Sequence, residues 1–131
     1  MIVDASALLA ILFEETDGDA LKRHLAKAPG PHSISPVNYL EAAVRTDNLP
    51  VPGKSRELDT LIAAAGIQIA KITPEQALLA RAAYQQFGKG NHPARLNLGD
   101  CFAYALAKAR NEPLLFKGDD FAKTDVKAAL R

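Results

Sequence analysis

A chain of 131 residues with 48% apolar and 24% charged side chains is long enough for one domain with one sizeable core and too apolar for disorder. A formal net charge of +1 supplies no global field for nucleic acid or an anionic membrane, so any such contact needs a local basic patch. One cysteine excludes an internal disulfide framework, no Cys/His spacing suits zinc, and no apolar run approaches the length of a membrane span.

Ile2-Val3 reads as a very short buried strand, with Asp4 directly after it. Ala5 to Phe13 is apolar at nearly every position, with Ser6 as its cap and Glu14-Glu15 closing the run. A helix apolar all round is deeply buried or covered by something else. Gly18 to Ala28 is amphipathic, with Ala20, Leu21, His24, Leu25 and Ala28 on one side, and Pro29-Gly30-Pro31 breaks it. His32 to Ser35 is a second short strand, and Pro36 can open a helix running from Val37 to about Thr46. A loop with two prolines and a glycine leads to a helix over Ser55 to Ala65, ended by Gly66.

Ile67 to Ile72 is a third strand. Thr73-Pro74-Glu75 caps and starts a helix that reaches about Phe87, with Gln76 closing a capping box. Gly88 to Arg95 is a loop. In the stretch Leu96 to Ala109, Leu98, Phe102, Ala105, Leu106 and Ala109 recur at helical spacing, with Asn97 as N-cap and Asp100 three residues later. Pro113 to Phe116 is a last buried strand, and Val126 to Leu130 a final turn of helix. Short apolar strands alternating with helices imply a single α/β domain over residues 1–131. Its parallel sheet has four or five short strands, flanked by helices on both faces. The opening residues do not read as a signal peptide, and a soluble cytoplasmic protein is expected.

Parallel sheets of this kind bind ligands at the carboxyl ends of their strands. Asp4 lies just past the first strand, and Asp119 and Asp120 just past the last. Asp100 is in the first turn of its helix. Glu41 is the i+4 member of the apolar stripe Val37, Leu40, Val44, where an acid is costly to bury unpaired. Taken singly, Asp100 could be only a cap and Glu41 only half of an ion pair; four acids on one rim are a more specific signal. Several carboxylates cannot all stay ionised in a partly dry cleft without a counter-charge. Oxygen ligands without His or Cys favour magnesium or manganese. Such an ion lowers the pKa of a bound water and steadies in-line displacement at phosphorus, so phosphodiester hydrolysis is the chemistry this set most naturally supports. His24, His32 and His92 are scattered and read as surface or packing residues, and Cys101 as a small buried hydrophobe.

Four segments together carry a family resemblance: Met-Ile-Val-Asp-Ala-Ser-Ala-Leu-Leu-Ala-Ile-Leu, Ser-Pro-Val-Asn-Tyr-Leu-Glu-Ala, Leu-Asn-Leu-Gly-Asp-Cys-Phe-Ala-Tyr-Ala-Leu-Ala and Leu-Leu-Phe-Lys-Gly-Asp-Asp-Phe. In that order and over the whole chain they resemble PIN-domain ribonucleases, most of all VapC, the toxin of VapBC toxin–antitoxin pairs. The resemblance implies a PIN-like fold and an Mg2+- or Mn2+-dependent endoribonuclease, held inactive by a VapB-type antitoxin and usually homodimeric. Carried over by position, Asp4, Glu41 and Asp100 match three acids of the family's metal site, with Asp4 and Asp100 as inner ligands. Many relatives have the fourth acid where this chain has Gly118. A Lys-Gly-x-Asp-Phe variant aligns it with Asp120, which is preferred here to Asp119. Ser6 matches a small hydroxyl residue near the metal, and Asn97 a polar residue close to Asp100.

Two other readings compete with the nuclease: a magnesium-binding phosphatase or phosphoacceptor domain with Lys117 as its phosphate contact, and a catalytically inactive binding module on the same fold. The first lacks a second Asp beside Asp4 or a nucleophilic Asp after a middle strand; the intact acid set argues against the second. RNA contact is expected from Arg45, Lys89, Arg95 and Lys117. An antitoxin helix is expected in a groove formed by Leu8, Leu9, Leu12 and Phe13 of the first helix and Leu40 of the third.

Overall fold

The structure is a computed structural model and describes residues 1–130. Its elements in chain order are β1 (Ile2–Val3), α1 (Ala5–Leu12), α2 (Gly18–Lys27), β2 (His32–Ile34), α3 (Pro36–Asp47), α4 (Gly53–Ala65), β3 (Ile67–Ile69), α5 (Pro74–Phe87), α6 (Leu98–Arg110), β4 (Leu114–Leu115) and a 3-10 turn (Phe121–Lys123). Among the described residues the strands form one parallel sheet in the order β3-β2-β1-β4. Ile2 lies beside Ser33 and Leu114, Val3 beside Leu115, and His32 beside Ile67. The chain steps outward from β1 through β2 to β3, then returns to the other side of β1 for β4. The switch point at β1 opens a crevice at the carboxyl ends of the strands, where such sheets take ligands.

Strand residues alternate between the two faces. Ile2 and Leu114 join Phe87, Ala103 and Leu106 in the core beneath α5 and α6, while Val3, Ile34, Ile67 and Leu115 join Leu8, Leu12, Leu21, Leu25 and Leu58 beneath the first four helices. Two-sided cover explains why strands of only two or three residues suffice. Ile2, Val3, Ile34, Leu114 and Leu115 are all fully buried, and each such side chain is worth about 2 kcal/mol of transfer free energy.

Several local features differ from the sequence expectations. Asp4, not Ser6, is the N-cap of α1, its side chain accepting from the Ser6 N–H. Gln76 does not close a capping box; its Nε2 donates to the Lys71 carbonyl instead, 3.2 Å away. The third strand stops at Ile69, and Ile72 is exposed. The segment from Val126 to Leu130 is not helical but extends alongside β4, with Leu114 N–H donating to Lys127 O (2.8 Å) and Ala129 N–H to Leu114 O (2.9 Å). That pairing covers the open edge of β4, which a helical turn would have left with unpaired backbone groups.

The larger difference is the rotation of α3. Its buried face is Asn38, Ala42 and Thr46, while Leu40 is 59% and Val44 45% exposed. The Val37, Leu40, Val44 stripe therefore faces outward, and Glu41 sits at the seam between the two faces. α1, apolar all round, is covered by α2, α3 and α4; Leu8 and Leu12 lie in the core, and Leu9 and Phe13 are half-buried. Leu8 is therefore sealed from any partner, which corrects one of the five expected docking residues, while Leu12 lines a separate cleft beside Lys54 and Glu57.

Candidate active site

Each acid reaches the carboxyl rim for a local reason. β1 is only two residues long, so Asp4 arrives at the end of the strand and starts α1. Ser35 caps α3 through its side chain, accepting from Val37 N–H, with Pro36 next. Glu41 then falls in the second turn. α6 runs back against the strands, so its first turn, opened by Asn97, lies at the same rim. Asn97 and Asp100 form the expected capping box, with Asp100 N–H donating to Asn97 Oδ1 (2.9 Å) and Asn97 N–H to Asp100 Oδ2 (3.0 Å).

Asp4, Ser6, Glu41 and Asp100 line one open cavity of about 620 Å³, together with Ala5, Leu9, Val37, Leu40, Val44 and Arg45. Burial dominates the electrostatics of all three acids. It pushes Asp4 up to about 6, against the opposing effect of hydrogen bonds from Ser6, and the Glu41 charge adds to the rise. Asp100 is likewise pushed to about 6 by burial, opposed by the Asn97 backbone, with Asp4 and Asp120 adding to it. Glu41 is raised by burial, lowered by its hydrogen bond from Asn38 and raised again by Asp100. The three carboxylates thus destabilise one another's charges across one cavity. Asp120 is exposed at the rim and reaches Asp100 only through its field; Asp119 is also exposed and does not figure in that shift.

Among the described residues no three His, Cys, Asp or Glu side chains stand close enough together to hold a metal ion as they are placed. Glu41 Oε2 and Asp100 Oδ1 nevertheless make no hydrogen bond within the described residues, whereas Glu41 Oε1 and Asp100 Oδ2 are engaged. Unengaged carboxylate oxygens with mutually raised pKa values, and no sulfur or imidazole nearby, suit a hard divalent cation.

The remaining sequence candidates separate. Ser6 Oγ accepts from Lys117 N–H (3.0 Å), tying the start of α1 to the loop after β4. Arg45 lines the acid cavity, its guanidinium 5.9 Å from the Phe13 ring centre. Lys117 is paired with Glu15. Lys89 lies on a different cleft between α5 and α6, beside Tyr84 and Leu98, and Arg95 is exposed in its loop. Arg45 thus lines the acid cavity, and Lys117 reaches its edge through the backbone N–H while its ammonium is engaged by Glu15. Leu9 and Leu40 remain on the cavity wall as apolar neighbours.

Two residues escaped the sequence reading. Asn38 is fully buried and donates through Nδ2 to Glu41 Oε1 (2.8 Å) and to Gly99 O (2.9 Å). Gly99 leaves the space the Glu41 carboxylate occupies: a Cβ there would stand 2.1 Å from Oε2. Signals for both existed. Asn38 is three residues before Glu41 on one helix, hence on a neighbouring face, and a glycine within the first turn of α6 marks a close approach.

A family model described as PIN domain matches residues 1–127. Ribonuclease VapC28 of Mycobacterium tuberculosis is 50% identical over 131 residues, covering 99% of this chain and 98% of its own length. Among solved structures, M. tuberculosis VapC20, described as a sarcin-ricin loop cleaving toxin, superposes with a TM-score of 0.76 at 13% identity and covers 95% of both chains. A toxin–antitoxin complex from Klebsiella pneumoniae gives 0.70 at 22% identity, covering 95% of this chain and 92% of its own. At those identities the two structures speak for the fold alone.

Proposed function

This chain belongs to the PIN domain family, with VapC ribonucleases as its sequence relatives, and from that premise we infer that it is the ribonuclease toxin of a toxin–antitoxin pair. The observation that carries the reading is the meeting of Asp4, Glu41 and Asp100, from three separate elements, on one cavity wall. Those three, with Asp120 at the rim, would hold magnesium or manganese. Such an ion, when bound, supplies neutralising charge at phosphorus and a water of lowered pKa.

The chain's own residues then have distinct tasks. Asp4 and Asp100 would present oxygens to the ion, and Glu41 Oε2, which makes no hydrogen bond of its own, would complete the set while orienting the attacking water or accepting its proton. Ser6 steadies the Asp4 carboxylate from its backbone N–H (3.0 Å). Arg45, which lines the same cavity, would offer its guanidinium for a bidentate contact to an RNA phosphate. Because Asp4 and Asp100 are pushed to about 6, protons compete with the cation, and metal affinity falls as pH drops through that value.

An antitoxin partner fits the other half of the cavity. Leu40 and Val44 are largely exposed beside half-buried Leu9, an apolar strip of the kind an amphipathic helix fills. A helix seated there would cover the approach to the acids.

The test is cleavage of a single-stranded RNA in Mg2+, in Mn2+ and in EDTA, with Asp4→Asn alongside, repeated with the adjacently encoded partner. Metal-dependent cleavage lost in Asp4→Asn and suppressed by the partner supports the reading. Phosphomonoester hydrolysis without RNA cleavage would point to the phosphatase instead.

A further inference from the structure

We propose that Asn38 is the positioning residue of this site, holding Glu41 against the first turn of α6 through one amide that serves both elements. The inference rests on the metal-binding reading above. Asn38 spends both amide hydrogens there: one goes to Glu41 Oε1 at 2.8 Å and the other to Gly99 O at 2.9 Å. Its Oδ1 is buried without a partner, a cost of about 1–3 kcal/mol that packing alone does not require. Gly99 completes the clamp, since the Glu41 carboxylate lies where a Cβ would stand, 2.1 Å from Oε2 and 2.5 Å from Cδ. Asp100 is the next residue. The clamp therefore sets the separation between the acid of α3 and the acid of α6, and it leaves Glu41 Oε2 unengaged for its task.

Partners that orient a metal ligand typically change metal affinity by about 10- to 100-fold when removed. Mn2+ binding by the full chain, measured by titration calorimetry, should weaken at least about tenfold in Asn38→Leu, which keeps size and removes the donor. If Asn38 acts through Glu41, the double variant Asn38→Leu/Glu41→Gln should bind no worse than Glu41→Gln alone. Gly99→Ala should weaken Mn2+ binding comparably, although alanine is the better helix former. It therefore keeps the proposal open to refutation should Asn38→Leu fail to fold.

Wild-type Mn2+ affinity in Asn38→Leu and Gly99→Ala overturns the proposal, as does a double variant whose loss is the product of the single losses. If the wild-type protein binds no Mn2+, the metal reading itself fails. The clamp is then decided by NMR: the Asn38 side-chain amide should be protected from exchange in the wild type, and Glu41→Ala should release the hydrogen bonded to Glu41 while Gly99 O keeps the other. Amide protons unaffected by Glu41→Ala overturn it.

Discussion

Replacing Asp4 by Asn should make the metal-free protein more stable at neutral pH, although it removes a proposed ligand. Asp4 is 4% exposed, and its carboxyl is raised from the ordinary 3.8 to about 6, chiefly by burial. A raised folded-state pKa means that the native chain holds its proton more tightly than the unfolded one between those values. Stability therefore falls as pH rises from about 4 to about 6. The penalty is absent below the unfolded pKa and complete above the folded one. At about 1.4 kcal/mol for each tenfold change in proton affinity, it amounts to roughly 3 kcal/mol at neutral pH. Asn caps a helix as well as Asp does, but it forfeits about 0.3–1 kcal/mol of charge–dipole attraction at the start of α1.

The net gain is then about 2 kcal/mol, or roughly 7 °C in Tm for a chain of this length. Thermal unfolding followed by circular dichroism in EDTA, from pH 4 to pH 7.5, measures it. The gap between Asp4→Asn and wild type should open through that range and level off near pH 6. Excess Mn2+ should narrow the gap, because binding at about a hundred times Kd stabilises only the wild type, by roughly 2.7 kcal/mol. A variant less stable than wild type near pH 7.5 in EDTA, or a gap independent of pH, would refute the reasoning.

Asp100→Asn should lower RNA cleavage by at least about 100-fold, and Glu41→Gln by about tenfold, because the first removes a proposed inner ligand and the second an orienting group; equal rates in single-turnover assays at limiting Mg2+ would remove the distinction. Leu40→Glu should leave the fold intact and weaken antitoxin inhibition, since Leu40 is 59% exposed. Leu8→Glu, with its side chain fully buried, should fail to fold; co-purification with the partner and circular dichroism separate the two. Arg45→Ala should flatten the dependence of RNA binding on salt by about 0.7 in log–log slope for one lost phosphate contact. Lys117→Ala, whose ammonium is taken up by Glu15, should leave that slope unchanged in filter-binding titrations.

Much of this architecture is local enough to be legible in the chain. The Asn97–Asp100 capping box needs residues three apart, Pro36 and Pro74 mark helix starts through their fixed φ, and Gly66 ends α4 at φ 66°. Short apolar runs between helical stretches indicate a parallel sheet covered on both sides, and that sheet puts Asp4, Glu41 and Asp100 at one rim. Which face of α3 is buried is not local. Val37, Leu40 and Val44 make the more apolar stripe, yet Asn38, Ala42 and Thr46 face inward, because α6 supplies a carbonyl for Asn38 and the apolar stripe borders an open cavity. The helical period names two faces without saying which one the rest of the chain will cover.

The same limit governed α1, where nearly every position was apolar and only the packing of α2, α3 and α4 shows that Leu8 is sealed while Leu9 lines the cavity. The Asn38–Gly99 clamp joins residues 61 apart in sequence, a separation no periodic pattern reports. Residue types and spacing determined the elements, their order and the acids at their ends. The tertiary structure decided which side chains those acids meet, since burial and long-range hydrogen bonds exist only once the helices have settled on the sheet.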